Sequence, residues 1–289
     1  MGLTFDRLDD AATFLERAGD FLVAREAEHN LMLGIAAQVR STPDFFGGEP
    51  NFGVVTDGAE QVVAATLRTP PFNQVLSEVD DPAAIDLLAD ALATEPLLPG
   101  VSGPKEVVAR FAERWSALTG RRSWLDLAER IFRLDRVIPP ARPAQGSWRL
   151  AEAPDRELVA TWLRAFTDEA TPGQPAPVDP LEMADRWIAR RYRTLYLWED
   201  EGRTVSMVGA GGETPNGVRI GPVYTPPDLR GRGYATTLTA TTTQDQLDRG
   251  RRFVTLFTDR ANPTSNKIYQ SIGYVAVRDV DVIGFEPDA

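Results

Sequence analysis

The sequence predicts an α/β protein built as two halves, each a twisted mixed β-sheet flanked by helices. Three observations carry that reading. Apolar residues switch repeatedly between helical and strand spacing along the chain. The order helix, helix, hairpin, strand, helix, strand, helix, strands is read twice, and such interleaving marks the α/β class. Between the two runs lies 137–147, where Pro139, Pro140, Pro143 and Gly146 forbid a helix or a central strand. The expected division is a first lobe over 1–136, a linker over 137–147 and a second lobe over 148–289. The halves share this pattern of elements without residue-level identity.

In the first half, Leu8, Ala11, Ala12, Leu15 and Ala18 fall at helical spacing, and a second helix is expected over 21–40. Segments 52–56 and 61–69 read as a hairpin around Asp57-Gly58, a strong turn signal between β-rich runs. A strand over 74–78 follows. Helices are expected over 82–94 (Ile85, Leu88, Leu92) and 106–118 (Val107, Phe111, Trp115, Leu118), then closing strands over 123–127 and 130–134.

The second half opens with a helix over 156–166, where Leu158, Trp162 and Phe166 form one stripe. The Pro-rich stretch 171–180 reads as a loop and 180–192 as another helix. A hairpin pairs 194–198 with 204–211. A tight turn at 214–217 leads into a strand over 218–224. Then come a helix over 234–249, a strand over 253–258, a helix over 265–272 and closing strands over 274–277 and 282–285.

Composition narrows the function. The chain has 289 residues and no cysteine, which excludes a thiol nucleophile, a disulfide framework and a zinc ribbon. Its single histidine, His29, would have to carry any Ser-His-Asp triad. No metal site is expected. The net charge of −11 argues against a nucleic-acid surface, which needs clustered basic charge. No apolar run of about 18 residues predicts a membrane span. The acidic, amphipathic N-terminus does not read as a signal peptide, and Asp6 does not fit the myristoylation pattern. The expectation is a cytoplasmic protein, with its oligomeric state left open.

The segment with chemical character is 223–236, Val-Tyr-Thr-Pro-Pro-Asp-Leu-Arg-Gly-Arg-Gly-Tyr-Ala-Thr. A strand ends, Pro226-Pro227 stop it, and Arg230-Gly231-Arg232-Gly233 runs directly into a helix. Glycines permit positive φ and close approach of backbone to ligand. The first N–H groups of a helix lack internal partners and sit at the positive end of its dipole. Such a start is a cradle for phosphate or pyrophosphate. Two arginines add local positive charge. Neither the P-loop pattern nor the complete dinucleotide fingerprint is present. From Gly and Arg alone, a plain strand-to-helix turn explains the segment about as well.

Here the chain resembles the GNAT acyltransferase superfamily, whose members transfer an acyl group from acyl-coenzyme A to an amine. The family's pyrophosphate motif, Arg/Gln-x-x-Gly-x-Gly/Ala, stands as Arg230-Gly231-Arg232-Gly233-Tyr234-Ala235. A second signature is matched by Asn262 ahead of a helix, Tyr269 seven residues on, and Gly273-Tyr274 at the helix end. The resemblance covers about 148–285. The first half lacks both motifs: Val79-Asp80-Asp81-Pro82 stands where the glycine loop would be, so it resembles a degenerate copy unable to bind coenzyme A in the same way.

The resemblance implies roles. Backbone amides from Arg230, Gly231, Arg232, Gly233, Tyr234 and Ala235 would hold the pyrophosphate of acetyl-CoA, with Thr236 adding a hydroxyl. Val223 and Thr225 would pair with the pantetheine amides, and the Val223–Tyr224 amide would stabilise an oxyanion. Asn262, Ser265 and Asn266 would line the pantetheine arm. Tyr269 would protonate the departing thiolate; without the motif, a core aromatic is the better reading of that tyrosine. Better-known members often carry a Glu or His on the preceding strand, where this chain has Arg219. Glu213, Asp168, Glu169 or a water chain would then have to accept the amine proton.

His29 is expected to be a hydrogen-bonded helix residue, and Trp162, Trp187 and Trp198 core residues. The arginines at 190–193 and 249–252 read as helix C-termini that complement the dipole; those at 249–252 could instead reach the 3′-phosphate of the coenzyme. The implied activity is acetyl transfer from acetyl-CoA to a primary amine, on a small molecule or a peptide, by direct attack in a ternary complex. The acceptor would enter a cleft bordered by the loop 167–180. A non-catalytic acyl-CoA sensor is the alternative; a scaffold whose glycine loop is only a turn, or an enzyme using aminoacyl-tRNA, is weaker still.

Overall fold

The computed structural model describes residues 2–46, 48–94, 98–170, 178–190 and 193–287. In chain order the elements are β1 (Thr4–Leu8), α1 (Ala11–Val23), α2 (Asn30–Ser41), β2 (Asn51–Thr56), β3 (Val62–Arg68), β4 (Gln74–Leu76), α3 (Pro82–Leu92), β5 (Gly100–Pro104), α4 (Lys105–Thr119) and β6 (Ser123–Leu134). They continue with β7 (Ser147–Leu150), α5 (Arg156–Ala170), α6 (Pro180–Ile188), β8 (Arg193–Asp200), β9 (Arg203–Gly211), β10 (Gly217–Tyr224), α7 (Tyr234–Asp248), β11 (Phe253–Asp259), α8 (Pro263–Ser271) and β12 (Val275–Phe285). This is the mixed α/β class read from the sequence.

The chain divides into two compact units. The first comprises Met1–Ile131, Phe257–Asn262 and Ala276–Ala289, and the second Phe132–Leu256 and Pro263–Val275. The sequence expectation of 148–289 as one lobe therefore differs at its end: the C-terminal strand is counted with the first unit. Its pairing explains this. β12 runs antiparallel to β5, from Val280↔Pro104 to Gly284↔Gly100, and Phe285 stacks on Trp115 of α4 with ring centroids 4.0 Å apart.

Within the first unit the strands follow the order β1-β2-β3-β4-β5-β12. All pairs are antiparallel except β4 with β5. One apolar cluster joins α1 and α2 to the sheet through Phe14, Leu22, Met32, Phe52 and Leu67. A second joins α3 and α4 through Leu88, Val108, Phe111 and Trp115. Each helix places its apolar stripe on the sheet, which is what an amphipathic period of 3.6 dictates.

The second unit has the order β11-β10-β9-β8-β7, with β10 and β11 parallel and the other pairs antiparallel. Helices α5 and α6 pack through Val159, Trp162, Ala184 and Trp187. Helices α7 and α8 pack through Leu238, Tyr269 and Ile272. Trp162, Trp187 and Trp198 are core residues, as expected.

Several expected elements differ. Leu8 ends strand β1 and is not part of the first helix, which starts after Asp10 caps the Thr13 N–H. The second helix begins at Asn30 and not at Phe21, because α1 itself runs to Val23. The strand that the repeated order puts between α3 and α4 is β5, to which no residues had been assigned, and β7 was not expected. The paired closing strands expected in each half are single long strands, β6 and β12. Charged residues of these two strands pair within the first unit: Arg130 grips Asp279 through two bonds of 2.6 and 3.0 Å.

His29 is buried with both ring nitrogens engaged. Nδ1 lies 2.9 Å from the Leu22 carbonyl and Nε2 accepts the Glu78 N–H at 3.0 Å. An acceptor at one nitrogen and a donor at the other fix the neutral Nδ1–H tautomer. This is the hydrogen-bonded histidine expected, placed just ahead of α2 and not within it. Burial holds the imidazole below the usual histidine range, against smaller opposing effects of the Leu22 bond and the Glu28 charge. The unfolded chain then binds the extra proton first. Stability is full above the ordinary histidine pKa of about 6.5 and is lost as pH falls below it. Denaturant titrations from pH 7.5 to 5 are expected to show this decline, and His29→Ala to flatten it; an equal slope in the variant would remove His29 as its source.

Candidate active site

The candidate site lies in the second unit, where β10 ends and α7 begins. β10 is parallel to β11 only from Gly217↔Phe253 to Ile220↔Leu256. On its other edge the register with β9 shifts between Ile220 and Val223, at the Gly221-Pro222 step. Such a bulge bends a strand and frees part of its edge from the ladder. Val223 and Tyr224 therefore continue beside β9, opposite Val208 and Met207, after the pairing with β11 has stopped.

The end of this strand is pinned by a residue that the sequence did not single out. Ser206 on β9 is fully buried; its Oγ donates to the Tyr224 carbonyl at 3.0 Å and lies 2.9 Å from the Thr225 hydroxyl. A lone serine in an apolar strand gave no signal of this role. Ser206→Ala leaves the Tyr224 carbonyl without this donor, and is expected to cost about 1–2 kcal/mol of unfolding free energy. Chemical denaturation checks it; an unchanged midpoint would mean that the bond contributes nothing.

After Pro226 the chain turns through one short helical turn, Pro227–Leu229, into the glycine loop. Gly231 and Gly233 have φ of 78° and 85°, in the left-handed region that glycine enters without penalty. Gly233 is the residue before α7. A side chain added at Gly231 would meet nothing within 4 Å, so that face of the loop is open. Among the described residues, the N–H groups of 231–236 find no hydrogen-bond acceptor, whereas the Thr237 N–H already bonds the Gly233 carbonyl. Orphan donors at a helix start, beside open space, fit the pyrophosphate of coenzyme A.

Arg230 does something different from what the motif suggested. Its backbone N–H is turned to the Pro227 carbonyl at 3.4 Å. Its Nε donates to the Thr225 carbonyl at 2.9 Å, and its Nη2 reaches both oxygens of Glu169 at 2.8 Å. The guanidinium also lies 5.8 Å from the Tyr224 ring centre. Arg230 thus ties the strand end, the loop and the end of α5 together. Arg232 is exposed; its Nη2 donates to the Asp228 carbonyl at 3.4 Å and its charge acts on the Tyr234 hydroxyl. Tyr234 is buried, with its hydroxyl on Asp200; Ala235 and Thr236 lie half-buried in the first turn of α7.

Tyr269 sits on α8 in the same apolar cluster as Leu229, Tyr234 and Leu238, with Val223 packed against it. It is 7 % exposed, and its hydroxyl makes no hydrogen bond among the described residues. Burial pushes its phenol up to about 12. Ser265 and Asn266 lie half-buried on the same helix. Asn262 is exposed, precedes α8 and is counted with the first unit.

The candidate bases are engaged or exposed. Glu169 is held by Arg230 and Glu213 by Arg251; Asp168 is exposed at the end of α5. Arg249 pairs with Asp245. The expected acceptor loop includes 171–177, and the arginine cluster includes 191–192; both stretches lie outside the described residues. In the first unit the helix start after β4 is already capped: Asp81 accepts the Ala83 N–H at 2.9 Å. A carboxylate stands there where an anion would have to bind.

Residues 158–274 match the family model described as the Acetyltransferase (GNAT) family. No curated protein matches the sequence. Among solved structures, a Drosophila protein is similar over 100 % of both chains, at 14 % identity and TM-score 0.70. A tandem GNAT protein from the clavulanic acid biosynthesis pathway also covers 100 % of both, at 16 % identity and TM-score 0.57. A GNAT-family acetyltransferase from Colwellia psychrerythraea covers 99 % of this chain and 100 % of its own, at 11 % identity and TM-score 0.55. At such identities the likeness is one of fold. Residues 158–274 are thus similar to the GNAT acetyltransferase family, and the whole length of the chain has the fold of a tandem GNAT protein.

Proposed function

We propose that the chain is an N-acetyltransferase that moves an acetyl group from acetyl-CoA to a primary amine by direct attack in a ternary complex. The observation that carries this reading is the row of orphan N–H groups over 231–236, next to a strand end released from its parallel neighbour. Acetyl-CoA supplies an acyl group activated as a thioester. The amides of 231–235 and the Thr236 hydroxyl bind the pyrophosphate, and the edge of β10 at Val223–Thr225 orders the arm behind it. Ser265 and Asn266 line that arm. Tyr269 presents a protonated hydroxyl to the leaving sulfur. The amine nitrogen forms the new C–N bond, the C–S bond breaks, and the amine's proton leaves through water, since Glu169 and Glu213 are held in ion pairs.

Those ion pairs also favour a second reading, an acyl-CoA sensor without turnover. Calorimetry with acetyl-CoA, desulfo-CoA and ATP separates the possibilities. Saturable binding of acetyl-CoA but not ATP supports the site, and acetylation of any amine then dismisses the sensor. No binding of either coenzyme form at high protein concentration would overturn both readings.

A further inference from the structure

The first unit contains a cavity of about 260 Å³ that neither the motifs nor the family match explains. Every residue lining it belongs to that unit. It lies beside the parallel pair β4/β5, with α2 and β12 completing its wall. Apolar side chains such as Met32, Leu76 and Ile131 make up most of the lining. Phe72, 39 % exposed, brings the wall to the surface.

The polar part of the lining has one sign. Glu28, Glu129 and Asp281 are there, and no lysine or arginine is. His29, the only other titratable group in the wall, is locked as a neutral donor and acceptor. Asp281 stands out because its side chain is 8 % exposed and its Oδ1 has no hydrogen-bond donor. Arg260 stands 3.8 Å from that oxygen and leans also toward Asp279 at 3.6 Å. Burial pushes the Asp281 carboxyl up, with Lys105 and Arg260 only partly opposing it. A buried carboxylate short of donors is costly unless a cation or donor reaches it. An apolar wall with one charged corner is the usual build of a small-molecule site, although this one is below the roughly 300–1,000 Å³ of drug-sized pockets.

We propose that this cavity of the first unit binds a small organic cation, an ammonium group on an apolar body, with Asp281 and Glu28 facing the charge. The helix start after β4 is occupied by Asp81, so this unit is an amine-binding module and not a second coenzyme site. The inference stands apart from the coenzyme reading, and its test uses no coenzyme.

The full chain is titrated calorimetrically with 2-phenylethylamine, the neutral 2-phenylethanol and the anionic 3-phenylpropanoate. The expected result is saturable one-to-one binding of the amine, with the alcohol and the acid at least tenfold weaker. Asp281→Asn should weaken the amine at least tenfold and leave the alcohol unchanged. Glu28→Gln, at a half-exposed position, should weaken the amine severalfold, and it carries the test if Asp281→Asn does not fold. Absence of saturable amine binding, equal affinity for amine and alcohol, or amine affinity unmoved by the variants would each overturn the proposal and leave a cavity that holds only water.

Discussion

Replacing Gly233 by glutamate is expected to abolish measurable acetyl-CoA binding while the protein stays folded. Two effects act, on different quantities. Gly233 sits at φ 85°, where any other residue pays roughly 1–2 kcal/mol of folding stability, a cost common to the free and the bound protein. The new carboxylate would lie at the N-terminus of α7, where it can take the orphan N–H groups for itself and repel the pyrophosphate. That competition and repulsion, about 3 kcal/mol, correspond to a loss of roughly a hundredfold or more in affinity. Gly233→Ala separates the two, because it brings the strain without the charge, and should weaken binding far less. The nearest atoms to a side chain at Gly233 are the Arg142 carbonyl at 3.7 Å and the Ala144 Cβ at 4.0 Å, so there is room for both variants. Calorimetry with acetyl-CoA gives the answer. An unchanged affinity in Gly233→Glu would refute the assignment of the loop, whatever else the protein does.

Much of this site was legible because its chemistry is written in local sequence. A glycine that must take positive φ, a proline stop and a helix start are neighbours in the chain, so Gly231, Gly233 and Tyr234 could be read without a fold. Tyr269 needed the second signature as well as the first. What could not be read is long-range pairing. Nothing in Glu169 or Thr225 announces that Arg230 will bind both, 61 and 5 residues away. Ser206 looks like any small polar residue of a strand until Tyr224 is placed beside it. The same limit governed the fold. Helices with a clear apolar stripe, such as α3, α4 and α5, were found within a few residues of their bounds. Strands β1 and β5 were not, because a short strand takes its stability from neighbours distant in sequence. The continuity of β6 and β12 was missed for the same reason: Arg130 and Asp279 satisfy each other, and they are 149 residues apart.

The engagement of Arg230 alters how the cradle works electrostatically. On the proposed reading, a guanidinium already paired to Glu169 adds little net charge to a ligand, so attraction for a pyrophosphate would rest on backbone dipoles and on exposed Arg232. Those dipoles are fixed by the fold, and they need no reorganisation when an anion arrives. Arg230 contributes by holding the loop in shape. A Lys in its place would keep the charge and lose the planar fork that spans Thr225 and Glu169.

Tyr269→Phe is expected to lower the turnover rate by about 10–100-fold, near the lower end of what positioned proton donors contribute, with little change in acetyl-CoA affinity. The size follows from the phenol's surroundings. Burial holds its pKa at about 12, well above an ordinary thiol near 8.5. A proton held that firmly does not move to a thiolate in water. It stabilises the departing sulfur by hydrogen bonding, and passes over only if the same burial raises the sulfur's own pKa. The hydroxyl has no competing partner among the described residues, so it is free to donate. The pH dependence follows with a definite sign. Because Tyr269 keeps its proton up to about 12, the rate should show no decline between pH 8 and 10 from its ionisation. A downturn in that window that vanishes in Tyr269→Phe would contradict the assigned burial. Steady-state rates of the two proteins across pH 7–10, beside calorimetric acetyl-CoA affinities, decide the role. An unaltered rate in the variant would leave Tyr269 as a packing residue of α8 and move the search for the donor to water.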